Sequence, residues 1–111
     1  MAIQVVFHSV PGPLPIKFTF APVGDEPMNL EVNGTAWSGN QNVTIGITVS
    51  LDGQPLGATQ MFSNGANTHR TLPPGYFPVQ FSQDKHTLLL TPSTSATVTD
   101  SNDSYSVVIH Y

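Results

Sequence analysis

The clearest hydrophobic pattern in the chain runs from Asn42 to Gly53. Its apolar positions alternate without a break with small or hydroxyl-bearing residues, and they are Val43, Ile45, Ile47, Val49 and Leu51. A period of two with β-branched residues on the apolar side is typical of a strand that buries one face. The stretch ends in Asp52-Gly53, a turn signal, because glycine accepts positive φ. The pattern therefore predicts a long β-strand over residues 42–51, followed by a hairpin.

The same alternation recurs in shorter segments, and helical periodicity is absent from the sequence. The predicted strands cover residues 3–8, 16–20, 28–32, 42–51, 56–62, 69–72, 77–81, 86–91, 96–99 and 104–111. Asn33-Gly34 is interpreted as the turn that ends the third strand, since this dipeptide favours tight turns. Eight to ten short strands, about 8–12 residues apart, predict one all-β domain over residues 1–111, a jelly-roll-like antiparallel β-sandwich.

Composition points to a surface that associates easily. Hydrophobic residues make up 39% of the 111 residues and charged residues only 9%, against about 25% charged residues in typical soluble domains. The surface must therefore consist largely of uncharged polar residues, which provide little charge repulsion between molecules. We expect an oligomer.

Charge and hydropathy exclude several classes of partner. The net charge is −4, and the three basic residues Lys17, Arg70 and Lys85 are scattered along the chain. The sequence therefore lacks the cluster of positive charges that binding to nucleic-acid phosphates requires. No apolar run approaches the roughly 20 residues of a transmembrane helix, and no lipidation motif or signal-peptide pattern is present. We expect no nucleic-acid or membrane partner, and the cellular location stays open.

Catalytic chemistry has little support in the sequence. The chain has no cysteine, which excludes thiol nucleophiles and thiolate metal sites. The nucleophile elbow Gly-x-Ser-x-Gly and a pair of carboxylates placed for glycoside hydrolysis are also missing. The candidate general bases are the four histidines, His8, His69, His86 and His110. Their spacing does not match that of a metal-binding motif. The alternative for each is a structural histidine that forms a hydrogen bond near the end of a strand. We expect no enzymatic activity.

One acidic, oxygen-rich cluster could hold a hard cation. Asp100, Asn102 and Asp103 supply carboxylate and amide oxygens within four positions, which are the ligands that Ca²⁺ prefers. The alternative is a turn in which these side chains bond their own backbone. If no cation binds, Asp103→Ala acts only through that turn, and we expect it to cost less than about 2 kcal/mol.

The single tryptophan marks a candidate carbohydrate site. Trp37 lies in a polar loop with Asn40 and Gln41. An aromatic ring can stack on a sugar while neighbouring amides bond its hydroxyl groups. The alternative is that Trp37 closes one end of the sandwich or packs against another subunit.

Taken in order, several segments resemble the compact jelly rolls of the tumour-necrosis-factor and complement-head type, particularly small microbial members. They are residues 33–39 (NGTAWSG), 47–53 (ITVSLDG), His69 before Leu72-Pro73-Pro74, residues 86–90 (HTLLL) and 97–103 (TVTDSND). The resemblance spans residues 28–111. It implies a homotrimer that binds proteins or glycans and is not an enzyme. It also implies that Tyr105, Val107 and Tyr111 line a trimer axis.

The chain also differs from these jelly-roll proteins in ways that limit which of their functions it can be expected to share. The chain has no collagen-like stalk and no cysteine, so an extracellular signalling role does not follow. The first hypothesis is a non-enzymatic recognition or assembly module that forms a homotrimer. The second is a calcium-dependent carbohydrate-binding protein that uses Asp100, Asn102 and Asp103 with Trp37. A small hydrolase is the third.

Overall fold

Nine β-strands form the fold in a computed structural model that describes residues 2–111. They are β1 Ile3–Pro11, β2 Ile16–Phe20, β3 Pro27–Ala36, β4 Val43–Leu51, β5 Gln54–Ser63, β6 Arg70–Thr71, β7 Gly75–Gln80, β8 His86–Pro92 and β9 Ser104–His110. All pairings between them are antiparallel. The predicted all-β sandwich is confirmed. No helix in this part of the chain is long and apolar enough to cross a membrane.

The strands form two sheets. One has the order β1-β9-β3-β6, with β7 also pairing with β3, and the other has the order β2-β8-β4-β5. Strand β3 therefore shares one edge with β9, while its other edge holds β7 on the first half and β6 on the second. Hydrophobic side chains from both sheets fill the space between them, because alternate positions of each strand face inward.

The core contains the alternating apolar residues of the long strands. Its most deeply buried side chains are Leu30, Val32, Ile45, Ile47, Val49, Leu88, Leu90, Tyr105, Val107 and Ile109. The apolar positions of the 42–51 pattern that lie in the middle of β4 are thus fully buried, as predicted. Burial of this apolar surface is the main favourable term for folding.

One predicted turn and one predicted strand are wrong. Asn33-Gly34 does not end a strand: β3 continues to Ala36, and Gly34 pairs with Tyr105 of β9. Residues 96–99 do not form a strand and make one isolated bridge, between Trp37 and Val98.

The physical reason for the second error is a set of bonds to β4. Thr97 Oγ1 accepts a hydrogen bond from the Gly46 N–H at 3.1 Å. Thr94 Oγ1 donates to the Thr44 carbonyl at 2.7 Å, and the Ser93 N–H donates to the Gly46 carbonyl. These bonds hold the segment against β4 as an irregular loop.

Three loops meet at one end of the sandwich, which we call the loop end: residues 37–42, 64–69 and 93–103. The bridge between Trp37 and Val98 joins the first and third loops. The Asn67 N–H donates to the Ser38 carbonyl at 2.7 Å and joins the first and second. Residues far apart in the sequence therefore lie together at this end.

Candidate functional site

Asp103 lies at the centre of the loop end, directly before β9, and is 1% exposed. Its Oδ1 accepts hydrogen bonds from Thr35 Oγ1 at 2.7 Å and from His69 Nδ1 at 2.8 Å. Its Oδ2 accepts a bond from the Asp100 N–H at 2.9 Å. A buried carboxylate needs such donors, because it has lost its water. Asp103 thus fastens the end of β3, the 64–69 loop and the 93–103 loop to one another.

His69 is oriented by that buried carboxylate. Its Nδ1 faces Asp103, and its Nε2 lies 3.9 Å from Asp100 Oδ2. The hydrogen bond to Asp103 raises the pKa of His69, and the charges of Asp103 and Asp100 act in the same direction. The side chains of His69 and Asp100 are 41% and 40% exposed, so this part of the loop end is open to solvent.

His69, Asp100 and Asp103 form a group of three potential metal ligands. One donor atom from each lies within 4.8 Å of the others. Two of these residues come from the predicted metal set, but the histidine was not assigned to it. The turn named above as the alternative is present, since the Asn102 N–H donates to Asp100 Oδ1 at 2.8 Å. The Asn102 residue is exposed, and its role in metal binding stays a prediction.

Trp37 lies beside the same group. Its ring centroid is 5.8 Å from that of His69, with the planes tilted by 48°. The indole Nε1 is buried and lacks a hydrogen-bond partner among residues 2–111. Asn40 and Gln41 are exposed in the adjoining loop, and buried Ser38 Oγ accepts a bond from the Asn40 N–H. The two predicted sites, aromatic and acidic, are therefore neighbours.

The assignment of Tyr105 and Val107 to a trimer axis is wrong. Tyr105 is 1% and Val107 0% exposed within a single chain, because both face the opposite sheet. Their side chains are therefore unavailable to another subunit. Burial also raises the pKa of the Tyr105 hydroxyl group. Tyr111 is 50% exposed, and its role at an interface, like the homotrimer, stays a prediction.

Two further histidines bond to carboxylates, as expected for hydrogen-bonded histidines near strand ends. His110 Nε2 lies 2.7 Å from Glu31 Oε1. The Glu31 carboxylate also accepts a bond from Asn33, and these two bonds lower the pKa of Glu31. His86 Nδ1 lies 2.5 Å from Asp52 Oδ2. Sequence spacing gives no sign of these pairs, since their partners are separated by 79 and 34 residues.

Asp52, His86 and Ser82 have the spatial order of a catalytic triad but not its hydrogen-bonding pattern. His86 Nε2 lies 3.3 Å from Ser82 Oγ and only 3.0 Å from the Ser82 carbonyl oxygen. The carbonyl is an acceptor and lies nearer to Nε2 than Ser82 Oγ does, so this geometry favours a proton on Nε2. A general base needs a free lone pair towards the nucleophile. The triad therefore gives the hydrolase hypothesis no support.

The Asp52–His86 pair predicts a pH window for stability. The bond to Asp52 raises the pKa of His86 in the folded protein above 6.5. The stability that follows from this shift is therefore complete below pH 6.5 and is lost as the pH rises through the pKa of folded His86. The same bond lowers the pKa of Asp52 in the folded protein below 3.8. The stability that follows from this second shift is present above pH 3.8 and is lost as the pH falls through the pKa of folded Asp52. We expect Asp52→Asn to cost about 1 kcal/mol at pH 5 and less at pH 9 or pH 2. Urea unfolding at the three pH values measures this.

Glu26→Gln, a substitution in an exposed loop, is the control for that experiment. It removes the same charge without a histidine partner and should show no such window. A cost of Asp52→Asn that is equal at pH 5 and pH 9 would contradict the role given to His86.

No protein-family model matches the chain, and no curated protein sequence matches it. Solved structures do share its fold. Dimeric latent PorU from Porphyromonas gingivalis is 8% identical with a TM-score of 0.59, and the match covers 97% of this chain but only 12% of the PorU chain.

A carbohydrate-binding module, CBM36, in complex with calcium and xylotriose, is 10% identical with a TM-score of 0.51. This match covers 99% of this chain and 98% of that chain. The CBM36-1 domain of a multidomain xylanase from the hindgut metagenome of Trinervitermes trinervoides is 10% identical over 99% and 96% of the two chains. Its TM-score is 0.46. At these identities the comparisons show a small all-β, jelly-roll-like fold.

Proposed function

We propose that the chain is a non-catalytic carbohydrate-binding module that binds its ligand at the loop end. The observation that carries the proposal is the position of Trp37, whose ring centroid lies 5.8 Å from that of His69, a residue that in turn lies 3.9 Å from the exposed carboxylate of Asp100. The proposal is supported by the fold that the chain shares with a carbohydrate-binding module over nearly its whole length.

The loop end offers the chemistry that sugars require. A pyranose ring presents an apolar face of C–H groups, which stacks on an aromatic side chain, and a rim of hydroxyl groups, which need donors and acceptors. Trp37 provides the aromatic surface, and the exposed Asn40 and Gln41 provide amides. Asp100 adds an exposed carboxylate as an acceptor. These groups lie on loops, while the strands below hold them in place.

Calcium does not fit the group of potential ligands at this site. It takes six to eight oxygen atoms, whereas His69 offers nitrogen. The Asp103 oxygens already accept bonds from Thr35, His69 and the Asp100 N–H. Asp100 is left as the group's one exposed carboxylate. We therefore propose binding in which Trp37 and the amides make the main contacts, and calcium has no part in the proposal.

Trp37→Ala is expected to weaken binding of xylotriose about tenfold or more, because it removes the stacking surface. Affinity electrophoresis in soluble xylan and calorimetric titration with xylotriose measure the effect. Tyr76→Ala is the matched control, since Tyr76 is 60% exposed but lies on β7, in the part of β3's edge away from the loop end. Equal binding by wild type and Trp37→Ala would overturn the site, and no binding by wild type would overturn the xylose-based ligand.

A further inference from the structure

We infer that the loop end binds a divalent transition-metal cation, such as Zn²⁺ or Cu²⁺, through His69 Nε2 and Asp100, with Asp103 as the positioning residue. This inference names the cation for the site of the proposed function, but it does not require that a sugar binds there. Three features of the group lead to it: the orientation of the imidazole, the position of the second ligand and the type of donor atoms.

The orientation of His69 is fixed by Asp103. The carboxylate accepts the Nδ1–H at 2.8 Å, which leaves the lone pair of a neutral ring on Nε2. Histidine ligands in metal sites commonly donate their other N–H to a carboxylate in this way, which fixes the tautomer and makes the ligand more basic. Asp103 is itself held firmly, because it accepts bonds from Thr35 and the Asp100 N–H and its own carbonyl accepts the Gly12 N–H at 2.9 Å.

Asp100 lies where a second ligand is required. Its Oδ2 is 3.9 Å from His69 Nε2. A transition metal binds imidazole nitrogen and carboxylate oxygen at about 2.0–2.2 Å each, so one ion reaches both atoms at this separation. Both side chains are about 40% exposed, and the remaining coordination positions are open to water or to ligand hydroxyl groups.

The other two histidine–carboxylate pairs lack this arrangement. The two nitrogens of His86 face Asp52 and the Ser82 carbonyl. His110 directs Nε2 at Glu31, at 2.7 Å. Only the His69 pair, among the residues that the structure describes, belongs to a group of three potential ligands. His69 therefore differs from His86 and His110 in having a second carboxylate close to its Nε2 atom.

The type of donor atom selects the cation. Imidazole nitrogen suits zinc, copper and nickel, with copper the tightest of the series, whereas calcium requires oxygen ligands. One nitrogen and one exposed carboxylate oxygen, with a buried carboxylate behind the nitrogen, match the first class. We therefore expect Zn²⁺ to bind in preference to Ca²⁺ at equal concentration.

Fluorescence of the single tryptophan tests the inference directly. Cu²⁺ added to chelator-treated protein should quench Trp37 with one saturable phase, because the His69 ring lies 5.8 Å from the indole. Zn²⁺ should compete with Cu²⁺, and Ca²⁺ should not. His69→Gln and Asp100→Asn should each weaken binding at least tenfold. His8→Gln is the control for unspecific binding to a surface histidine, since His8 contacts the Ser106 hydroxyl instead, and it should bind as wild type does.

The positioning role of Asp103 has its own readout. In Asp103→Asn, ¹⁵N spectra of the imidazole should show loss of the Nδ1–H tautomer of His69, and binding should fall about 10–100-fold. If that variant does not fold, the ring spectrum of the wild type still tests the role, because an Nε2–H tautomer would contradict it. Undiminished Cu²⁺ binding by His69→Gln, or displacement of Cu²⁺ by Ca²⁺, would overturn the inference.

These outcomes separate the inference from the proposed function. Xylotriose binding that survives in His69→Gln without metal would leave the carbohydrate module in place and restrict the cation to an independent role. Saturable metal binding with no xylotriose binding would support the inference and overturn the xylose-based proposal.

Discussion

Asp103→Ala is expected to destabilise the fold by about 3 kcal/mol or more. The substitution leaves the Thr35 hydroxyl, the His69 Nδ1–H and the Asp100 N–H without their shared acceptor. A donor shielded from water, such as the half-buried Thr35 hydroxyl, costs about 1–3 kcal/mol when it loses its acceptor, whereas the exposed His69 ring regains water, so the three losses do not add fully. This prediction replaces the sequence-based expectation of less than about 2 kcal/mol, because Asp103 is a buried acceptor and not a surface cap. The free energy of unfolding in urea measures it.

Asp100→Ala is the matched control for Asp103. Asp100 belongs to the same turn, but its side chain is 40% exposed and accepts one bond, from the Asn102 N–H. We expect a loss of about 1 kcal/mol, typical of a surface cap. If the two alanine variants cost the same, the loop end does not depend on a buried carboxylate.

Gly34→Ala is expected to cost about 2–3 kcal/mol, although it adds a single methyl group inside a strand. A Cβ at this position would lie closest to Cδ1 of the Tyr105 ring, then 2.7 Å from Ile47 Cδ1 and 2.9 Å from Tyr105 Cε1. Both neighbours belong to the buried core, so neither moves without disturbing its own packing, and overpacking of this kind costs about 1–3 kcal/mol. Thermal unfolding followed by circular dichroism measures the loss.

A double-mutant cycle tests the cause. Ile47→Val removes the Cδ1 atom, so the pair Gly34→Ala with Ile47→Val should cost less than the sum of the single changes. Gly39→Ala serves as the control, since its Cβ would meet nothing closer than 3.9 Å, and we expect a change below about 0.5 kcal/mol. Strict additivity of the cycle would show that the Ile47 Cδ1 methyl group is not the limiting contact and would leave the Tyr105 ring as the cause.

The strands could be predicted because alternation records which side chains are buried. Residues 42–51 were predicted as a strand, and β4 spans Val43–Leu51. The turn at Gly34 was wrong because a dipeptide signal is local, whereas the ring that fills the space beside Gly34 belongs to Tyr105, on another strand. Periodicity likewise placed Tyr105 and Val107 on one face of β9 but could not tell which face meets the opposite sheet.

The candidate site was predicted in parts and assembled only in three dimensions. The oxygen-rich cluster and the loop tryptophan were both identified from residue type. His69 was noted as one histidine of four, and nothing in its spacing pairs it with Asp103, 34 residues away. Such pairs depend on which loops reach the same end of the sandwich, and the loop lengths alone do not fix that.

A nuclear magnetic resonance titration with xylotriose tests whether the loop end is the carbohydrate-binding surface that we propose. The single indole N–H signal of Trp37 identifies the site without further assignment. We predict saturable shifts of that signal and of the backbone signals of residues 37–42, 64–69 and 98–103. Shifts confined to the outer face of the β7–β3–β9 sheet around Tyr76, with the indole signal unmoved, would show that the sugar does not bind at the loop end.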